Sequence, residues 1–308
     1  MRYTPFSADL FIKNRAKLYA QLPPKSIVVI SSNDIMPTNA DGTMGFRQNS
    51  DLFYLSGLDQ EETLLILYPD APEEQWREIA FVRETSELIE IWEGHKYTKE
   101  EATQISGIRN IQWTSNFDAL LKTVIYSAHH LYLTDNEHLR NASVVQTQNA
   151  RLGANWRNTY PNHAIGRLAP ILSDLRMQKE PEEIQALQKA CDITEKAFRR
   201  VLNFTKPGVT EYEIEAEFIH EFTRNRSEGF AYTPIIASGA NACVLHYIDN
   251  ALPCRDGDML LLDVGASYAN YNADMTRTIP VNGQFSTRQK QVYQAVHAVL
   301  DYASEIMQ

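Results

Sequence analysis

The sequence predicts two consecutive domains, an α/β domain with a mixed sheet over residues 1–173 and an α+β domain over residues 174–308. Three observations carry this reading. The chain has 308 residues, too many for one average domain and suited to two. The first half alternates helical periodicity with short β-branched runs, the pattern of an α/β layer fold. The second half groups its elements as two helices, a set of strands and a single helix. That set has few elements left to cover a sheet, so the second domain reads as incomplete.

In the first half, residues 8–22 read as a helix closed by Pro23-Pro24. Residues 26–31 form a short buried strand rich in Ile and Val. Residues 53–57 and 63–68 read as neighbouring strands with a turn at Asp59-Gln60, and further strands lie at 79–83 and 130–134. Residues 118–128 and 148–157 have helical patterns. A boundary falls within 168–179, where Pro170 breaks the chain.

The second half opens on a long amphipathic helix starting at Pro181, a good first-turn residue. Ile184, Leu187, Cys191, Phe198 and Val201 recur along it at helical spacing. The next helix has a capping box, Thr210 with Glu213, and a hydrophobic staple, Val209 with Ile214. Ile214, Phe218 and Phe222 line one of its faces. Strands follow at 233–237, 244–247, 259–264 and 271–280, punctuated by Gly239, Asn241, Asp249-Asn250 and Asp256-Gly257. A last helix from 287 to 308 carries Val292, Val296, Val299, Ala303 and Met307 on one stripe.

Composition narrows the function classes. Acidic residues outnumber basic ones 39 to 29, a net charge of −10, which disfavours nucleic acid and anionic membranes as partners. The N-terminus has no apolar stretch of signal-peptide type, and no apolar run is long enough to span a bilayer. The three cysteines, Cys191, Cys243 and Cys254, are odd in number and form no C-x-x-C pair. Reduced thiols in a cytoplasmic protein are expected, with Cys191 packed on the apolar face of its helix.

The chemistry concentrates at Asp263 and Asp274. Asp263 ends the apolar run 259–262, where an ionised carboxylate is costly without a partner. Ten intervening residues can return the chain as an antiparallel neighbour, so that both carboxylates face one cavity. Two such groups repel unless a proton or a cation joins them. Oxygen ligands of this kind suit Mn, Co, Mg or Zn. The spacing equally allows one aspartate to cap a turn and the other to pair with Arg277. His246, on the expected strand 244–247, is a core histidine or a ligand, and its neighbours do not separate the two. Tyr232 can line the same cavity or simply pack. The adjacent His129-His130 point to opposite faces of a strand and make no metal pair. No G-x-S-x-G elbow, G-x-G-x-x-G fingerprint or P-loop is present.

These residues resemble a known family. Asn241–His246, Arg255–Gly265 and Asn272–Gly283 are similar to the pita-bread metallopeptidases, which include aminopeptidase P, prolidase, methionine aminopeptidase and creatinase. Phe46–Gly57 and Glu90–Gly94 resemble the N-terminal domain of bacterial aminopeptidase P. The resemblance implies release of the N-terminal residue from peptides with proline in second position, by a hydroxide shared between two Mn²⁺ ions, with Co²⁺ or Zn²⁺ as alternatives. It implies Asp263 on one metal, Asp274 bridging both, His246 at the substrate carbonyl, and Trp92 and Tyr232 shaping the substrate pocket. It also implies a homodimer or homotetramer.

One departure is large. The family's remaining ligands are a histidine in an H-x-x-G-H segment and two downstream glutamates. Here only His297 and Glu305 follow Asp274, and no such segment exists. The chain is therefore expected to be a fragment of a longer peptidase, nearly inactive and a weak metal binder alone. The competing readings are a non-catalytic peptide-binding member of the fold, a prolidase-type dipeptidase, and a metal-free creatinase-like hydrolase. Retention of both aspartates weighs against the first and the last of these.

Overall fold

The computed structural model describes residues 3–307. The chain divides into two compact units, residues 5–182 and residues 183–307, the second joined by Tyr3 and Thr4.

The first unit runs α1 (Ala8–Tyr19), β1 (Ser26–Ser31), α2 (Ser50–Ser56), β2 (Leu64–Leu67), β3 (Glu78–Val82), α3 (Glu87–Glu93), α4 (Lys99–Ser106), β4 (Asn110–Trp113), α5 (Phe117–Ile125), β5 (His130–Leu133), α6 (Gln148–Thr159), β6 (Ala164–Arg167) and α7 (Ala169–Met177). Its six strands form one sheet in the order β4-β3-β2-β1-β5-β6. The sheet is mixed, as the sequence predicts: β1 pairs antiparallel to β2 and parallel to β5, and β3 pairs parallel to β4. Side chains alternate across it. Val28 and Ile30 pack with α1, α2, α4 and α7, whereas Ile27 and Val29 pack with α5 and α6. Covered on both faces, β1 and β2 are buried throughout.

Residues 53–57, expected as a strand, belong instead to α2. Asn49 accepts hydrogen bonds from the amides of Asp51 and Leu52, and Gly57 closes the helix at φ 67°. A Cβ on Gly57 would lie 2.2 Å from the Phe11 ring. The aromatic run Phe53-Tyr54 favours β structure only where a sheet awaits it; here every residue from Leu52 to Ser56 is buried, and the caps decide. Pro170, expected to break the chain, sits in the first turn of α7, where its missing N–H has no partner to lose.

Arg15 ties several of these elements. It is 1% exposed, donates through Nε to Glu78 at 2.9 Å, and donates to the carbonyls of Leu55 and Ser106 in the last turns of α2 and α4. Positive charge there complements the carbonyl ends of both helices. Arg15→Met leaves those acceptors and Glu78 without the cation and is expected to destabilise the first unit by about 3 kcal/mol, measured by urea denaturation.

The second unit continues with α8 (Pro181–Phe204), α9 (Glu211–Arg224), β7 (Gly229–Phe230), β8 (Ile235–Ser238), β9 (Met259–Asp263), β10 (Ala266–Tyr268), β11 (Tyr271–Asn272), β12 (Thr276–Pro280) and α10 (Thr287–Ile306). Two three-stranded sheets, β11-β10-β7 and β12-β9-β8, are antiparallel throughout. The Thr210–Glu213 capping box forms, and Ile214, Phe218 and Phe222 are fully buried.

The stripe on α8 holds at Phe198 and Val201, which are buried, and differs from expectation nearer its start. Ile184 and Cys191 are exposed, and Ala186, Ala190, Ile193, Ala197 and Val201 face inward. Small residues there let the helix approach the sheet closely, and Thr194 Oγ1 accepts the Ala266 amide directly at 3.0 Å. Residues 244–247 form no strand: a 3-10 turn, Gly239–Cys243, is followed by a loop that leaves Val244, Leu245 and His246 exposed. The expected strand 271–280 is split into β11 and β12. Helix α10 is capped by Ser286 with Gln289, buries no residue, and carries the predicted stripe in the open, Val296 at 64% and Val299 at 68% exposure. The cysteines are unpaired.

Candidate metal centre

The site is built on a hairpin. Along β9, Leu260 and Leu262 turn into the core beneath α8 and α9, so Asp263 falls on the opposite, half-open face. β12 returns antiparallel, Thr276 opposite Asp263. β10 and β11 extend the same hairpin to a tight turn at Ala269-Asn270, with φ of 52° and 62°. Pairing holds the same register on both sides of the central gap, through the amide of Val264 to the Met275 carbonyl and that of Ala273 to the Ala266 carbonyl. No residue is inserted, so Asp274 stands opposite Gly265 and diagonal to Asp263 on one face. The strands close tightly here, since a Cβ on Gly265 would lie 1.8 Å from the Ala273 carbonyl oxygen.

The other edge of the strand supplies a third group. β8 pairs Ile235 with Asp263, and β7 pairs Phe230 with Ala266. Four residues, 231–234, therefore span what two residues, 264–265, span opposite them. This bulge lifts Tyr232 off the ladder. Its hydroxyl donates to Asp263 Oδ1 at 2.6 Å and lies 3.0 Å from Asp274 Oδ1. Burial, then the two carboxylates, push the Tyr232 phenol well above the usual tyrosine range.

A phenol has one proton to give, so one hydroxyl cannot satisfy two carboxylates at once. A divalent cation would relieve the mismatch, and the donors are the hard oxygens such an ion takes. The set is nevertheless short. Catalytic metal sites draw about three protein ligands or more for each ion, and among the described residues no group of three or more His, Cys, Asp or Glu side chains converges. The chain's own residues offer part of a metal site and do not fit a complete dimetal centre.

The structure thus brings together Asp263, Asp274 and Tyr232, although Asp263 is half-buried and Asp274 exposed rather than deep in a core. Arg277 does not pair with Asp274; it donates to the Thr276 carbonyl. His246 lies exposed on the loop after β8 and does not join the carboxylates in a cluster. Trp92 belongs to the first unit, on α3, with its side chain 81% exposed.

The sequence reading missed Glu211 and took Asn250 only as a turn residue. Glu211, fully buried at the start of α9, accepts from the Ser238 amide and hydroxyl at 2.8 and 2.7 Å, the Tyr247 hydroxyl at 2.7 Å and the Leu252 amide at 2.9 Å. Asn250, at φ 45°, accepts from the Ile236 amide and donates to Glu215 and the Pro234 carbonyl. Their partners are too distant in sequence for any local pattern to mark them. Burial alone would raise the Glu211 carboxyl, but its hydrogen bonds outweigh burial and hold it below the usual glutamate value.

Comparisons with known proteins place the chain in a family. The profile described as metallopeptidase family M24 matches residues 185–308, which defines the class of the second unit. The aminopeptidase P N-terminal domain profile matches residues 11–132. The Xaa-Pro aminopeptidase of Haemophilus influenzae is 32% identical over 96% of this chain and 66% of its own length, and that of Escherichia coli 32% over 94% and 66%. A Bacillus anthracis structure provisionally described as aminopeptidase P superposes with a TM-score of 0.88 at 32% identity, covering 96% of this chain and 70% of that one. A variant of Escherichia coli aminopeptidase P, solved in complex with substrate, gives 0.83 at 29% identity, covering 97% and 68%. The chain belongs to the aminopeptidase P family of M24 metallopeptidases, and it spans slightly under two thirds of the length of these two curated relatives.

Two outcomes are expected. Gly265→Ala forces β10 and β11 apart and lowers stability by roughly 3 kcal/mol, read by thermal or urea unfolding. Glu211 is depressed in the folded state, so its stabilisation is present above the unfolded value, about pH 4.3, and is lost as pH falls through the folded value. The parent should lose more stability than Glu211→Gln as pH is lowered through this window, measured by denaturant midpoints at each pH.

Proposed function

We propose that this chain carries the peptide-facing part of an Xaa-Pro aminopeptidase, acting on peptides with proline in second position with the help of divalent metal, Mn²⁺ first and Co²⁺ or Zn²⁺ as alternatives. The observation that carries the reading is the Tyr232 hydroxyl within 3.0 Å of both Asp263 and Asp274. Asp263 and Asp274 are the chain's contribution to the metal site. A bound metal would polarise the peptide carbonyl and activate water. His246 is assigned to the scissile carbonyl as a hydrogen-bond donor, Tyr232 to the wall of the substrate pocket, and Trp92 to shaping a pocket across a subunit interface. The exposed apolar residues Leu88, Ile91 and Trp92 on α3 support assembly as a homodimer or homotetramer. Relatives of known structure support the substrate class: one Escherichia coli structure contains the inhibitor Pro-Leu.

The remaining ligands, which the family resemblance gives as a histidine and two glutamates, have to come from polypeptide outside the described residues. The short donor set also favours a second reading, in which the 308-residue chain on its own binds peptide without cleaving it.

Mn²⁺ titration by calorimetry separates these possibilities. The parent chain is expected to bind Mn²⁺ weakly, Asp274→Ala not at all, and turnover of an Xaa-Pro peptide should appear only when the missing ligands are supplied. Mn²⁺ binding that survives unchanged in Asp274→Ala would sink the metal reading, and peptide binding without turnover by the 308-residue chain would establish the second one.

A further inference from the structure

We propose that Glu211 and Asn250 are positioning residues that hold the His246 loop and the Tyr232 bulge to the strand beside the metal-site carboxylates. The proposal rests on the roles assigned above to His246 and Tyr232 and names what keeps them in place.

No residue of 239–252 belongs to a sheet ladder, and within this stretch the amides of Val244 and Tyr247 bond only to the loop's own carbonyls of Asn241 and Val244. His246 and Leu245 at its tip are exposed, Leu245 to 90%. The loop's position therefore depends on its base. Glu211 grips that base at three points: Ser238 where the loop begins, Tyr247 one residue after His246, and Leu252 where it ends. Its own amide also donates to the Leu252 carbonyl at 3.0 Å. Anchored in the first turn of α9, the carboxylate sits where the helix favours negative charge.

Asn250 joins the loop to the bulge. Its Oδ1 accepts from the Ile236 amide at 3.0 Å, and its Nδ2 donates to the Pro234 carbonyl at 3.1 Å. Pro234 closes the bulge that projects Tyr232, and Ile236 adjoins Ile235, the strand partner of Asp263. The left-handed backbone at Asn250 is one that asparagine tolerates better than most residues. One side chain thus fixes the end of the His246 loop to the segment that carries Tyr232.

Conservative variants disturb the bonding without removing bulk. Glu211→Gln sets an amide N–H against the donor at Leu252 or Ser238. Asn250→Asp keeps an acceptor for Ile236 but turns a carboxylate oxygen toward the Pro234 carbonyl and Glu215. The test records the His246 imidazole signals by long-range ¹⁵N–¹H NMR and amide exchange across 239–249 in the parent and both variants. Phe218→Leu, a core variant of the same unit, controls for general destabilisation. In both variants the His246 signals are expected to shift and the loop amides to exchange roughly tenfold faster or more, while α9 keeps its protection. In Phe218→Leu the His246 signals should stay at the parental positions. Parental signals and exchange in both variants, or equal shifts in the control, would overturn the proposal. Should either variant fail to fold, Ser238→Ala and Tyr247→Phe each remove one donor to Glu211 and must move the same signals in the same direction. None of these readouts depends on turnover; His246→Ala assayed on an Xaa-Pro peptide tests the functional reading separately.

Discussion

The structure of the second unit depends on one constraint, the unbroken register of the hairpin from Met259 to Pro280. Because strand side chains alternate, a slip of one residue would send Asp274 to the opposite face from Asp263. The tight turn at Ala269-Asn270 and the missing side chain at Gly265 keep the register and let the strands close. Everything chemical follows from this. The two carboxylates share a face, the bulge at 231–234 supplies a hydroxyl between them, and α8 and α9 cover the reverse side. The hairpin tip is held as well: the Tyr271 hydroxyl donates to Glu183 at 2.8 Å, and Tyr3 packs its ring against Tyr268.

Legibility in the sequence followed the range of the interactions. The carboxylate pair was readable because eleven residues of separation and an apolar strand before it are local facts. The cap at Thr210 was readable for the same reason, since a cap and its partner lie within one turn. α2 was misread because Phe53 and Tyr54 outweighed the Asn49 cap and the Gly57 terminator, which were the better signals. The α8 stripe was legible at Phe198 and Val201 but not nearer the helix start, because alanines at close packing distance score weakly as hydrophobic, while Ile184 and Cys191 score strongly and face solvent. The loop around His246 looked like a strand because Val244 and Leu245 are β formers; what it lacks is a neighbour. Glu211 was invisible, since its acceptor role depends on residues 27 to 41 positions away.

The donor set and the comparisons agree on the scale of what this chain contributes. It matches its relatives over nearly all of its own length and about two thirds of theirs. It brings two carboxylates and a phenol together, and it leaves the apolar stripe of α10 in the open. In a fold where helices normally cover a sheet on one face, the uncovered stripe of α10 accords with a chain that spans only part of its relatives' length.

The most direct test of the central claim is an anomalous difference map from crystals of the chain soaked in Mn²⁺. A peak bounded by Asp263 and Asp274, beside the Tyr232 hydroxyl, is the predicted result. A map with Mn²⁺ bound elsewhere and nothing between the two aspartates would contradict the account.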